Sequence, residues 1–78
     1  MKVELDDTLD EARIYISDER QSYERGATYL TLNAPHPTPT QVQLGFEDYR
    51  RLLFVTVHPA SAALPHDVLA TAARRRFG

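Results

Sequence analysis

Several residue types that often carry function are scarce or missing in this chain of 78 residues. It has no cysteine and no tryptophan, one methionine and three glycines. Without cysteine, the chain can form neither a disulfide nor a cysteine-ligated zinc site. Three scattered glycines do not build a glycine-rich phosphate loop. Candidate functional groups are therefore limited to carboxylates, histidines, hydroxyls, arginines and exposed apolar side chains.

Long apolar segments are also missing. No apolar run approaches the roughly 18 residues of a transmembrane helix, and no charged segment followed by an apolar one marks a leader. The formal net charge of −2 is too small to imply a nucleic-acid or membrane partner. We therefore expect a cytoplasmic protein with neither kind of partner.

The charges are distributed unevenly along the chain. Residues 1–25 hold eight acidic and four basic residues, whereas residues 48–78 hold two acidic and five basic ones. This asymmetry can be satisfied either within the fold or across an interface. The length predicts one small domain over residues 1–78. A core of that size supplies only about 3–5 kcal/mol, which favours oligomerisation.

The clearest local pattern is a hairpin over residues 41–57. Alternating apolar residues predict its first strand, and β-branched and aromatic residues predict the second. Residues 47–50 lack an Asn-Gly or Asp-Gly pair, so we expect a four-residue loop around a type I turn. The predicted core face consists of Val42, Leu44, Phe46, Leu53, Val55 and Val57. Leu52 and Phe54 then point to the opposite face.

The same reasoning predicts the other elements. The five predicted strands are Met1–Leu5, Ala12–Ser17, Ala27–Leu32, Gln41–Phe46 and Arg51–Val57. Loops are expected over the polar segment 18–26 and over 33–40, which holds three prolines. Pro65 suits the start of a helix, and an apolar stripe at helical spacing reaches Phe77. Its members are Val68, Leu69, Ala72, Ala73 and Phe77.

These elements predict an α+β fold. It consists of an antiparallel β-meander of about five strands, either open or curled into a partial barrel, with one C-terminal α-helix. Both faces of the sheet carry apolar residues, so the pattern leaves open which face the helix covers.

Two segments also have the spacing of a known family. Asp6 and Asp10 precede Ile14, Tyr15 and Ile16 in residues 5–16. Residues 42–65 hold Val42-Gln43-Leu44, the apolar run Leu52–Val57, Ala60-Ser61 and Leu64-Pro65. Over these two ranges the chain resembles, without gaps, the bacterial Domain of Unknown Function 2283 family.

The resemblance implies a small β-meander with a helix and no assigned activity. Some members of that family look like the small partner in two-gene cassettes of the toxin–antitoxin type. The resemblance thus implies an antitoxin-like role as an alternative function. The chain departs from the family pattern at Tyr49-Arg50 in place of an Asp-Gly turn, at Phe54 in place of glycine, and at Thr56 in place of glutamate. These departures make the turn bulkier or the outer face less polar.

Four acidic residues cluster before the second predicted strand: Asp6, Asp7, Asp10 and Glu11. Such a cluster can bind a divalent cation or act in acid–base catalysis. The spacing is not that of an EF-hand, and aspartates are also common turn formers. The pattern favours a solvated turn.

The remaining polar candidates are histidines, serines and arginines. His58 and His66 could converge with Asp67 in a metal site or an enzyme, although no H-x-x-x-H pair is present. Ser17, Ser22 and Ser61 lie in no nucleophile elbow. Arg74, Arg75 and Arg76 could contact phosphates, but such a run is also favoured at the C-terminal end of a helix. None of these patterns outweighs its structural explanation, so we expect no enzyme activity, metal or cofactor.

An apolar outer sheet face is the strongest functional indication. Strand alternation places Tyr15, Tyr29, Leu52 and Phe54 opposite the aliphatic core. A large apolar surface on a small domain marks an interaction site, unless the sheet curls or a loop covers it. We therefore expect a non-enzymatic protein-interaction module that forms a homodimer through these four residues. A different protein partner is the alternative.

Overall fold

The structure is a computed structural model that describes residues 2–16, 28–35, 38–47 and 50–77. Its strands are β1 (Lys2–Asp6), β2 (Glu11–Tyr15), β3 (Thr28–Ala34), β4 (Thr40–Glu47), β5 (Arg51–His58) and β6 (Ala73–Arg74). Two short helices lie between β5 and β6: α1 (Ala60–Ala63) and α2 (His66–Thr71). The prediction of an α+β fold rich in strands is confirmed.

The strands form one six-stranded sheet in the order β3-β4-β5-β2-β1-β6. All neighbours are antiparallel except β1 and β6, which are parallel. The predicted meander is wrong because β2 pairs with β5 and not with β3. The sheet is also open rather than barrel-like, since β3 and β6 form opposite edges among the described strands.

The central position of β5 explains its composition. β5 pairs with β4 on one side and β2 on the other, and four of its residues, Leu53, Phe54, Thr56 and Val57, are buried. A strand with neighbours on both sides and layers on both faces needs apolar residues on both faces. Apolar residues on both faces of segment 52–57 therefore indicate a strand in the centre of the sheet.

The helical layer covers only one end of one sheet face. Ala60 of α1 and Ala72, which follows α2, pack with Leu5 and Ala12 in a buried cluster. Val3, Leu64 and Leu69 pack against the same cluster. The helices of four and six residues span about 6 and 9 Å at 1.5 Å per residue. They pack over β1 and β2 and also contact β5, while β3 lies at the far edge of the sheet.

The single long C-terminal helix was a wrong prediction. α2 begins directly after Pro65, as expected, but ends at Thr71, and Ala72 is extended with ψ 140°. The Thr71 hydroxyl donates to the Asp67 and Val68 carbonyls, which competes with helix continuation. Residues 73 and 74 instead pair with β1, and the Arg75 amide donates to the Leu5 carbonyl at 3.0 Å.

The predicted hairpin of β4 and β5 is present, with a register shift. Val42 pairs with Val57 and Leu44 with Val55, as the predicted core face requires. The ladder then shifts at Gly45 and Phe46, so that Phe46 pairs with Leu52. The Arg50 amide donates to the Glu47 carbonyl at 2.9 Å, which closes a four-residue turn. Its type depends on residues 48–49, outside the described residues.

Candidate interaction surface

Strand β3 carries three of the five exposed large hydrophobic side chains in the described part of the chain. The five exposed large hydrophobic residues among the described residues are Leu9, Ile16, Tyr29, Leu30 and Leu32. Three of these, Tyr29, Leu30 and Leu32, lie on β3, each more than 50% exposed. We call these three residues the β3 surface.

The β3 surface includes both faces of the strand. Leu30 pairs with Leu44, and Leu32 pairs with Val42. Cross-strand pairing extends these pairs into two apolar rows that reach β1 on the helix-bearing face. The rows are Leu32-Val42-Val57-Ala12-Leu5 and Leu30-Leu44-Val55-Ile14-Val3. Because the helices cover only the β1 and β2 end, the rows are open to solvent at β3.

Tyr29 lies on the other face of the sheet, where it continues an aromatic row. Its ring contacts Phe54 edge-on, with centroids 5.8 Å apart at 70°. Phe54 in turn lies 6.4 Å from the Tyr15 ring. Such tilted arrangements are favoured between aromatic rings. Tyr29 is the exposed end of this row.

The outer edge of β3 is open within the residues that the structure describes. β3 pairs with β4 along its whole length, from Thr28↔Phe46 to Ala34↔Thr40, and it is the terminal strand of the sheet. Its sequence, TYLTLNA, contains no proline, glycine or charged residue, and its ladder with β4 has no bulge. Proteins normally protect edge strands with these devices, because an unprotected edge pairs with other strands.

Three of the four predicted surface residues lie elsewhere than expected. Tyr15 and Phe54 are each only 5% exposed and form a buried cluster with Leu53. Leu52 is half-buried and pairs with Phe46 beyond the register shift, away from the Tyr15–Phe54 row. Tyr29 alone is exposed. The predicted surface centred on Phe54 is therefore corrected to one centred on β3.

The C-terminal segment helps to cover the sheet face that carries Tyr15 and Phe54. The Arg75 guanidinium donates to the Glu4 carboxylate at 3.1 Å and also hydrogen-bonds Tyr15. The Phe77 ring stacks on the Arg13 guanidinium, 4.2 Å away. The sequence pattern could not reveal this cover, since its helical spacing assigned Arg75 and Phe77 to a helix.

The acidic cluster has structural partners. One Asp6 oxygen accepts the amides of Thr8 and Leu9, and the other accepts the Phe77 amide at 3.0 Å. These hydrogen bonds, foremost that from Phe77, lower the pKa of Asp6 despite its burial. Asp7 pairs with Arg74 at 3.0 Å. The interpretation as turn formers agrees with these contacts.

Asp10 supplies a cap to helix α1 from across the fold. Its carboxylate accepts the Ser61 amide at 2.9 Å and the Ser61 hydroxyl. Its carbonyl accepts the Ala60 amide at 2.8 Å. Pro59 stands at the N-cap position and has no side chain that could do this. The Ser61 hydroxyl therefore serves this cap as a second donor to the Asp10 carboxylate.

The histidine candidates do not assemble into a cluster. His58 Nδ1 lies 3.3 Å from the Asp10 carbonyl, and His66 and Asp67 are exposed at the start of α2. Across residues 2–16, 28–35, 38–47 and 50–77, no three His, Cys, Asp or Glu side chains are grouped to hold a metal ion. Ser17 and Ser22 lie outside the described residues.

Two of the three clustered arginines form ion pairs within the chain. Arg74 pairs with Asp7, and it also donates to the Leu69 and Ala72 carbonyls at the end of α2. Arg75 pairs with Glu4, and this hydrogen bond raises its pKa. The charge asymmetry between the two ends of the sequence is thus partly satisfied within the fold.

Sequence reasoning missed the open aliphatic end at β3. It identified Leu30 and Leu32 as one face of a strand but treated that face as core. The composition of β3 gave no signal of its position, because an uncharged strand without proline is typical of the interior of a sheet rather than of its edge. The meander prediction also placed β3 in the middle of the sheet.

Comparison with protein-family models, curated proteins and solved structures found no match to this chain. The resemblance to the Domain of Unknown Function 2283 family stays a prediction from the residues. Neither helix in the described part of the chain has the length or the apolar character needed to cross a bilayer.

Proposed function

We propose that this protein is a non-enzymatic interaction module that forms a homodimer through the β3 surface. The observation that carries the proposal is the concentration of Tyr29, Leu30 and Leu32 on one edge strand, each more than 50% exposed. Exposed apolar patches on small proteins are typical of interaction sites. Aromatic residues are enriched at such interfaces.

The non-enzymatic part of the proposal rests on the polar candidates. Asp6, Asp7 and Asp10 hold a turn, the C-terminal segment and helix α1 through hydrogen bonds or ion pairs. Ser61 belongs to the same cap. These contacts explain the residues without a substrate.

A self-association partner suits the energetics of the chain. Full burial of a leucine side chain contributes about 1.5–3 kcal/mol, and a symmetric interface buries each residue twice. Leu30 and Leu32 of two copies therefore offer a large gain to a domain whose own core is small.

Light scattering on the purified protein tests this function. We expect a mass of twice 8.9 kDa at micromolar concentration. Leu30→Lys should reduce it to the mass of one chain, because a lysine at a strand edge opposes pairing. A monomeric wild-type protein would contradict the proposal.

The matched control is Leu9→Lys. Leu9 lies in the turn between β1 and β2 and is 50% exposed, nearly the same as Leu30 at 51%. The same substitution there adds the same charge and removes a similar exposed side chain. It should leave the mass at two chains, and both variants should keep the circular dichroism of the wild type.

A further inference from the structure

We propose that the two copies pair edge to edge along β3, antiparallel, with Thr31 on the twofold axis. This inference rests on the proposed function and specifies its geometry. It joins two six-stranded sheets into one continuous sheet across the dimer. The occupant of the β3 edge is thus a second copy of the same strand.

The exposed side chains favour an edge contact over packing of two sheet faces. Leu30 and Leu32 lie on the helix-bearing face, whereas Tyr29 lies on the other. Packing between faces would cover the leucines and leave Tyr29 in solvent. An edge contact gives all three residues a neighbour across the new strand boundary, and it also satisfies the open backbone groups of β3.

The sequence of β3 is self-complementary about Thr31. With the axis at Thr31, all seven residues from Thr28 to Ala34 are paired. Leu30 then lies opposite Leu32 of the partner subunit, and Tyr29 lies opposite Asn33 of the partner subunit. Cross-strand pairs of this kind are the unit of sheet stabilisation.

Other registers satisfy these side chains less well. An axis at Leu30 would place Leu32 opposite Thr28 of the partner subunit and leave the last two residues of β3 unpaired. A shift by one residue would place leucines opposite residues of the other face. The strand also carries no charge that would repel its copy. The Thr31 register is therefore the one that the strand itself favours.

This geometry fixes distances between the copies. Neighbouring strands lie about 4.8 Å apart, so the two Thr31 residues are separated by one such spacing. Gln43 pairs with Thr31 on β4, one strand further from the axis. The two copies of Gln43 are separated by three spacings, about 14 Å.

Single-cysteine variants test the geometry, because the chain has no cysteine of its own. Thr31→Cys should form a disulfide-linked dimer on mild oxidation, since Cα atoms of a disulfide lie about 4.4–6.8 Å apart. Gln43→Cys is the matched control from the same row, and it should stay unlinked at about 14 Å. Both variants are read on non-reducing gels, with light scattering on the unoxidised samples.

Amide hydrogen exchange over residues 28–34 is the second measurement. In an edge-paired dimer, the outward amides of β3 are hydrogen-bonded and should be protected, and Leu30→Lys should remove that protection. Packing between faces would leave these outward amides unpaired and fast to exchange.

The outcomes separate the two proposals. Disulfide linkage of the Thr31→Cys variant but not of the Gln43→Cys variant, with protected outward amides, supports edge pairing. A wild-type dimer with unprotected outward amides, in which Thr31→Cys links no better than Gln43→Cys, overturns edge pairing but leaves the homodimer intact. A monomeric wild-type protein overturns both.

Discussion

Gly45 and Phe54 depend on each other at the centre of the sheet. They are cross-strand partners, and the Phe54 ring lies over the position where Gly45 would carry a Cβ. A methyl group there would overlap the ring, which is itself held between Tyr15 and Tyr29. The glycine thus allows a large aromatic side chain to lie flat across the next strand.

Gly45→Ala should therefore destabilise the protein by about 1–3 kcal/mol, the usual cost of overfilling a packed site. The measurement is the free energy of unfolding in urea at a fixed protein concentration. The control is the same substitution in a Phe54→Leu background, where most of the ring is gone. If Gly45→Ala is equally costly in both backgrounds, the ring contact is not the cause.

The burial of Phe54 has a consequence for mutagenesis that tests the proposed interface. A charge introduced at this residue would enter a cluster that is only 5% exposed. Its effect on association could not be separated from its effect on folding. Leu30 tests association more cleanly because about half of its side chain is already exposed.

At the scale of elements, the β1–β2 turn and helix α1 stabilise each other through Asp10. This residue has φ 52°, in the left-handed region, where aspartate is tolerated better than most residues. In that conformation its carbonyl and carboxylate both reach the start of α1. A helix of four residues cannot persist alone, so such anchoring is necessary.

Three substitutions of Asp10 should destabilise the protein to different, predictable extents. Asp10→Asn keeps an oxygen acceptor and should be the mildest. Asp10→Gly loses the cap, at about 1 kcal/mol, and Asp10→Ala adds left-handed strain of about 1–2 kcal/mol. Urea unfolding of the three variants measures the order, and equal stability of the Gly and Ala variants would contradict the role of the backbone conformation.

The elements differ in how well the sequence predicted them. All five longer strands appear within two residues of their predicted ends, because alternation and β-branched composition are local signals. The order of the strands in the sheet depends on contacts between residues far apart in the chain. β2 pairs with β5, and the sequence of neither strand indicates which strand it pairs with.

The C-terminal region shows a different limit. Residues 65–77 have helical spacing in the sequence. In the structure, however, Arg74 and Arg75 form ion pairs with carboxylates of β1 and the turn after it, and the backbone of residues 73–74 pairs with β1. These tertiary contacts outweigh helix propensity, which is worth only tenths of a kcal/mol per residue. Of the predicted interaction residues, Tyr29 is exposed. Tyr15 was misjudged because the cover from Arg75 was hidden in that helix prediction, and Phe54 is buried because its ring lies over Gly45 between the two tyrosines.

At the scale of the whole molecule, the two ends of the described chain meet at Asp6. Its carboxylate holds the Phe77 amide, and β6 lies beside β1. The pKa of Asp6 is lowered from 3.8, with the hydrogen bond from Phe77 as the largest cause. A carboxyl with a lowered folded-state pKa stabilises the fold above its ordinary pKa and loses this contribution as the pH falls through the folded-state value.

Asp6→Asn should therefore be less stable than the wild type at neutral pH, and the difference should shrink as the pH falls below 3.8. The asparagine keeps one oxygen for the turn, but its amide nitrogen cannot accept the Phe77 amide. Urea unfolding over a pH series, at fixed protein concentration, measures the difference.

The neighbouring Asp7→Asn variant is the control for this series. Asp7 is 67% exposed and makes only a surface ion pair, whose contribution is small. Its stability should follow that of the wild type across the same pH range. A difference between Asp6→Asn and the wild type that does not change with pH would contradict the linkage.

The two edge strands of the sheet differ in how readily they could pair with another strand, and this difference limits how many copies can associate through them. One edge ends in β6, a strand of only two residues beside the Asp7–Arg74 ion pair, while the other ends in the seven uncharged residues of β3. A building block with one reactive edge is monovalent. If two copies pair through β3, both such edges are occupied, so growth by edge pairing stops at two copies and does not propagate into a fibre.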